Sequence, residues 1–139
     1  MDPTTLVKEQ IDFGALFVER LPKAGLDVMA AFWLKLTENG QWYFYVVSPL
    51  KDVDSRQARG LLRAVFQQMP RPLWIDEFGI RLLGPSDPMA RGALELYKQG
   101  PQEFPMIYRG NWLGNKSIEG GYLYPAPTPQ PQPASASAP

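Results

Sequence analysis

The segment DVMAAFWLKLTENGQWYFYVV, residues 27–47, decides how this chain is to be read. Its first part, Asp27 to Thr37, is rich in residues that suit a pleated sheet, and its last, Trp42 to Val47, is almost entirely aromatic and β-branched. Between them stands Asn39-Gly40, and both residues tolerate the positive φ of a type I′ turn. A two-residue turn there predicts a hairpin that pairs Leu36 with Tyr43, Leu34 with Tyr45 and Phe32 with Val47 on one face. The other face carries Thr37 with Trp42, Lys35 with Phe44 and Trp33 with Val46. Both faces are largely apolar, whereas a hairpin with one wet face alternates with polar residues. The two strands are therefore expected at the centre of a sheet, or one face is a docking surface.

Helix signals surround the hairpin. Asp2-Pro3 is an N-cap followed by a proline at the first helical position, and Val7, Ile11, Val18 and Leu21 recur at helical spacing, widened by Phe13, Leu16 and Phe17. Pro22 disturbs the last turn, and Gly25-Leu26 suits a left-handed C-cap with its apolar contact. After Ser48-Pro49, Asp54 caps a second helix with Gln57 three residues on, and Ala58, Leu61, Leu62, Val65 and Met69 form its apolar face until Pro70 and Pro72. Leu73 to Ile75 and Ile80 to Leu83 are short apolar runs on either side of Asp76-Glu77-Phe78-Gly79. Asp87-Pro88 repeats the cap and proline, and Ala90, Leu94 and Tyr97 continue a third helix to Gly100. Phe104 to Arg109 and Ser117 to Tyr124 are the last strands, joined by a turn-forming stretch, residues 110–116. The predicted class is α+β: a mainly antiparallel sheet of about five strands packed by three helices, in the order α-β-β-α-β-α-β-β.

One domain is expected over residues 1–124. From Pro125 the sequence becomes PAPTPQPQPASASAP, without a charged or large apolar residue. Such a segment buries nothing in return for its ordering entropy, so residues 125–139 are expected to be a disordered tail. A proline-recognising groove usually orients its ligand by a flanking arginine or lysine, and none is present.

The composition removes several chemistries. The chain has no cysteine and no histidine, which excludes disulfides, thiolate nucleophiles, histidine-based triads and the usual zinc sites within it. Carboxylate chemistry survives, and Asp76, Glu77 and Asp87 are the nearest approach to a Mg²⁺-dependent phosphodiesterase. A turn and a helix cap explain the same residues more simply. Fourteen basic residues balance fourteen acidic ones, unlike a strongly basic nucleic-acid binder, although a local patch fits inside a neutral total. No long apolar run or basic-then-apolar start is visible, so a cytoplasmic location is expected by default.

Two groups are candidate binding residues. Trp33, Trp42 and Phe44 share one hairpin face, which is either core beneath a helix or an exposed interface. Arg109, Asn111, Trp112 and Lys116 stand in or beside the last connecting loop and combine donors with an aromatic, a set suited to gripping an anion, a base or a partner protein. No catalytic residue, metal ligand or cofactor is assigned.

Ala24-Gly25 followed by AAFWLKL at residues 30–36, the strand ending Val47-Ser48-Pro49-Leu50, and Leu83-Gly84-Pro85-Ser86-Asp87-Pro88 together resemble a group of short uncharacterised bacterial proteins. The resemblance spans most of residues 11–98 and carries no active-site signature. It implies a bacterial intracellular protein. The expectation is a non-catalytic module that binds a protein partner or itself, with a metal-dependent phosphodiesterase or nucleic-acid-processing protein using Asp76, Glu77 and Asp87 as the alternative.

Overall fold

A computed structural model describes residues 8–38, 40–70, 79–98 and 105–125, with the side chains of residues 109–111 excepted. The element order is α1 (Lys8–Lys23), β1 (Ala30–Leu36), β2 (Trp42–Val47), α2 (Pro49–Val53), α3 (Ser55–Gln68), β3 (Ile80–Leu83), α4 (Pro88–Lys98), β4 (Met106–Leu113) and β5 (Lys116–Leu123). The strands form one sheet in the order β3-β2-β1-β5-β4. All neighbours are antiparallel except β2 and β3, so the α+β reading with a mainly antiparallel sheet holds. The start signal at Asp2-Pro3, the run Leu73 to Ile75 and the tail beyond residue 125 lie outside the described residues.

β1 is central, and its double apolar character follows from that position. Ala31 and Trp33, with Phe44 and Val46 of β2, face α1 and α3 in one core cluster. Ala30, Phe32, Leu34 and Leu36, with Tyr45 and Val47, face α4 in a second. The sheet is thus sandwiched between two helical layers.

Each helix begins and ends for local reasons. Gly25, at φ 105°, closes α1: Leu26 N–H donates to Leu21 O and Gly25 N–H to Pro22 O, each at 3.0 Å, which is a Schellman ending. Asp54 Oδ1 accepts from Gln57 N at 3.1 Å to cap α3. Asp87 Oδ2 accepts from Met89 N at 2.9 Å and Ala90 N at 3.3 Å to cap α4.

Three expectations are corrected. The hairpin register is Trp33 with Phe44 and Lys35 with Trp42, two residues away from that of a tight Asn39-Gly40 turn. Pairing with β2 ends at Lys35, while on its other edge β1 continues along β5: Leu36 aligns with Ile118, and Thr37 N–H donates to Ser117 O at 3.0 Å. Gly40 still supplies a positive φ of 64°, but its N–H reaches back to Leu36 O across a wider loop. Because the shift is even, every side chain keeps its predicted face. The second correction is a fourth helix, the short α2. Ser48 Oγ accepts from Leu50 N at 3.3 Å with Pro49 following the cap, the signature seen at Asp87-Pro88, but α2 buries no residue and so leaves no apolar period. The third concerns residues 110–116, which are mostly strand. β4 and β5 meet in a two-residue turn at Gly114-Asn115, with Leu113 aligned to Lys116. Gly114 has φ 62°, and a Cβ there would run into the backbone of Pro88 and Met89, so the hairpin end packs against the start of α4.

Candidate functional site

The sheet ends at β4, and among the described residues no strand pairs with its outer edge. β4 is an eight-residue strand, MIYRGNWL, with neither proline nor lysine, the usual guards of an open edge. Two large apolar side chains are exposed on it, Ile107 at 56% and Trp112 at 63%. Their neighbours Tyr108 and Leu113 pack into the cluster beneath α4. Ile107 borders a groove with Ile11 and so stands on the side of α1. The Tyr108 hydroxyl donates to Trp112 O at 2.7 Å.

Beside Ile107 the sheet carries a shallow groove of about 280 Å³ bounded by Ile11, Trp42, Ile107, Glu119 and Tyr122. Its floor is low because Gly120 and Gly121 follow one another in β5. The Trp42 ring lies over Gly120, where a Cβ would touch its Cη2 at 3.5 Å. The Trp42 Nε1–H is buried without a hydrogen-bond partner among the described residues. Lys35, half-buried between Trp42 and Gly120 in register, pairs with Glu119 at 3.3 Å.

The residues singled out from sequence therefore separate. Trp33 and Phe44 are core: Phe44 is fully buried, and its ring lies 5.1 Å from that of Trp33 and 5.8 Å from that of Phe17. Trp33 Nε1–H donates to Gln10 O at 3.2 Å and to the Tyr124 hydroxyl at 3.0 Å. Neither presents a surface to a partner, because α1 and α3 cover that face. Trp42 alone of the three reaches a groove. Arg109 and Asn111 occupy β4 opposite Gly120 and Ile118, and their side chains lie outside the described residues. Trp112 is exposed on β4. Lys116 lies across the sheet from it, half-buried in a different cleft.

That second cleft, about 310 Å³, is bounded by Tyr43, Tyr45, Arg81, Asp87, Asn115 and Lys116 among others. The Arg81 guanidinium lies 4.6 Å from the centroid of the Tyr43 ring, a cation–π contact. Burial pushes the Tyr45 phenol up to about 12, against the pull of Arg81 towards ionisation, so it stays protonated at neutral pH. Asp87 is engaged as the cap of α4. Asp76 and Glu77 lie outside the described residues, and among those described no three acidic side chains come together to hold a metal.

No protein-family model, no curated protein and no solved structure matches this chain. Among the described residues, no helix is long and apolar enough to cross a membrane.

Proposed function

We propose that this chain is a non-catalytic protein-interaction module of a bacterial cytoplasmic system, that its contact surface is the free edge of β4, and that a second copy of the chain supplies the added strand. The observation that carries the reading is an edge strand with which no described strand pairs, bearing two exposed apolar side chains, Ile107 and Trp112, and one charged residue, Arg109. An edge offers backbone N–H and C=O groups in alternation, and another extended backbone is their natural complement. A second β4 is such a backbone and carries the same two apolar side chains, so a two-fold arrangement is self-complementary. The groove beside Ile107 adds a place for a partner side chain against Trp42 and Tyr122.

Size-exclusion chromatography with light scattering, from low micromolar to submillimolar protein, tests this. The expected result is a concentration-dependent dimer that Ile107→Lys with Trp112→Lys converts to monomer while circular dichroism and the unfolding midpoint stay near wild type. A strict monomer at every concentration, or a dimer indifferent to both substitutions, overturns the reading.

A further inference from the structure

From Pro125 the chain reads PAPTPQPQP, with a proline at every second position, 125, 127, 129, 131 and 133. That is the period of a strand, not the roughly three-residue period of a polyproline helix. In an extended chain the N–H and C=O of one residue point to the same edge, and those of the next residue point to the opposite edge. One edge of this segment therefore consists of prolines and has no N–H to donate. The other consists of Ala126, Thr128, Gln130 and Gln132, each with a donor and an acceptor. Such a strand joins a sheet along one side only and closes it with prolines, which is where a sheet tolerates them.

An edge suited to it stands close by. No described strand pairs with the outer side of β4. β5 ends at Leu123, which aligns with Met106 at the start of β4, and Tyr124 N–H still donates to Ala31 O of β1 at 3.0 Å. The tail thus leaves the sheet at the end where β4 begins. Reaching the far side of β4 means crossing two strand spacings, about 10 Å, which takes about three residues of extended chain. Residues 128–133 are then long enough to run along the first half of β4, parallel to it. Prolines at alternate positions share one face, and turned to the side of α1 they cover Ile107, which is 56% exposed. The segment carries no charge to desolvate. Of the stretches outside the described residues it is the longest and the one with this alternation.

We infer that residues 128–133 of the same chain dock on the outer edge of β4 as an added parallel strand, through the backbone of Thr128, Gln130 and Gln132. The inference rests on the reading of that edge as the contact surface and supplies its regulator. The tail and a second copy compete for the same backbone groups, and the tail has the advantage of being tethered.

The test is amide hydrogen exchange of the full chain by nuclear magnetic resonance at low micromolar concentration. Thr128→Pro with Gln130→Pro and Gln132→Pro strips the docking edge of its N–H groups. This triple variant is expected to speed the exchange of the outward amides among residues 106–109 at least tenfold, with the unfolding midpoint of the core unchanged. Pro129→Ala with Pro131→Ala alters the outer edge alone and is expected to exchange as wild type. In size-exclusion chromatography with light scattering, the triple variant is expected to dimerise at a concentration at least fivefold lower. Exchange at β4 that ignores the triple variant overturns the inference. So does equal loosening by the alanine pair, which marks a polyproline helix, or protection that grows with protein concentration, which marks the tail of a second copy. A dimer that forms at the same concentration in both chains overturns the competition. A loosened edge with no dimer at any concentration upholds the docked tail and overturns only the self-association.

Discussion

Tyr124, the last buried residue of the described chain, ties both helical layers to the sheet. Its hydroxyl donates to Ile11 O at 2.8 Å and accepts from Trp33 Nε1, while its carbonyl accepts from the Tyr97 hydroxyl of α4 at 2.5 Å. Tyr124→Phe keeps the ring and removes the hydroxyl, leaving Ile11 O without that donor at a buried seam. The expected loss is about 1–3 kcal/mol, read from urea denaturation. Gly14 belongs to the same contact, because the end of this phenol occupies the space a side chain would need. Gly14→Ala is expected to destabilise the protein although alanine is the better helix former, the reverse of Gly60→Ala in α3, where nothing among the described residues lies within 4 Å of the added methyl. Comparing the denaturation midpoints of the two variants checks the pair directly.

At the scale of elements, the connections are held by short side chains that accept from backbone. Asp52 of α2 accepts from both the N–H and the hydroxyl of Ser86 at 3.0 Å, joining the β2–α3 connection to the turn before α4. Gly84 leaves the room, since a Cβ there would strike that carboxylate. Asp54 satisfies the first turn of α3. Asp54→Ala is expected to cost about 1 kcal/mol by thermal or urea unfolding. The salt bridges of α1, Lys8 with Asp12 and Lys23 with Glu19, are exposed and spaced i,i+4. Such pairs contribute little, and raising the salt concentration should leave the stability nearly unchanged.

For the whole molecule, the core is two clusters divided by one sheet, and the aromatic residues of the hairpin fill both. Phe13, Phe17, Phe44 and Phe66 stack or meet edge to face within 6.4 Å on the α1 and α3 side. Phe32 stacks on Tyr45 at 5.5 Å on the α4 side. Phe44→Ala is expected to cost about 3–5 kcal/mol and to lower the unfolding midpoint accordingly. The buried phenols also set the alkaline limit of the fold. Burial raises Tyr45 to about 12 and raises Tyr97 and Tyr124 as well. Unfolded tyrosine ionises near pH 10, so the unfolded chain releases protons that the folded one keeps. The stabilisation is complete below that pH and is lost as pH climbs, for Tyr45 between 10 and about 12. Urea titrations in this window should show a steady fall in stability that is shallower in Tyr45→Phe.

The sequence by itself determined the α+β class, the order of the main elements, the caps at Asp54 and Asp87, the C-cap at Gly25 and the face on which each hairpin side chain lies. These are local matters, settled by periodicity, cap chemistry and the two-residue repeat of a strand. Tertiary structure decided the rest. The hairpin register differs by two because the connection is wider than a two-residue turn, with Gly40 N–H closing on Leu36 O, a loop length that the Asn39-Gly40 pair does not by itself specify. Trp33 and Trp42 lie on the same strand face, yet only their position under α1 or beside Gly120 separates a core residue from one lining a groove. Trp112 emerged as an edge residue because β4 runs through the stretch whose glycines and asparagines suggested a loop.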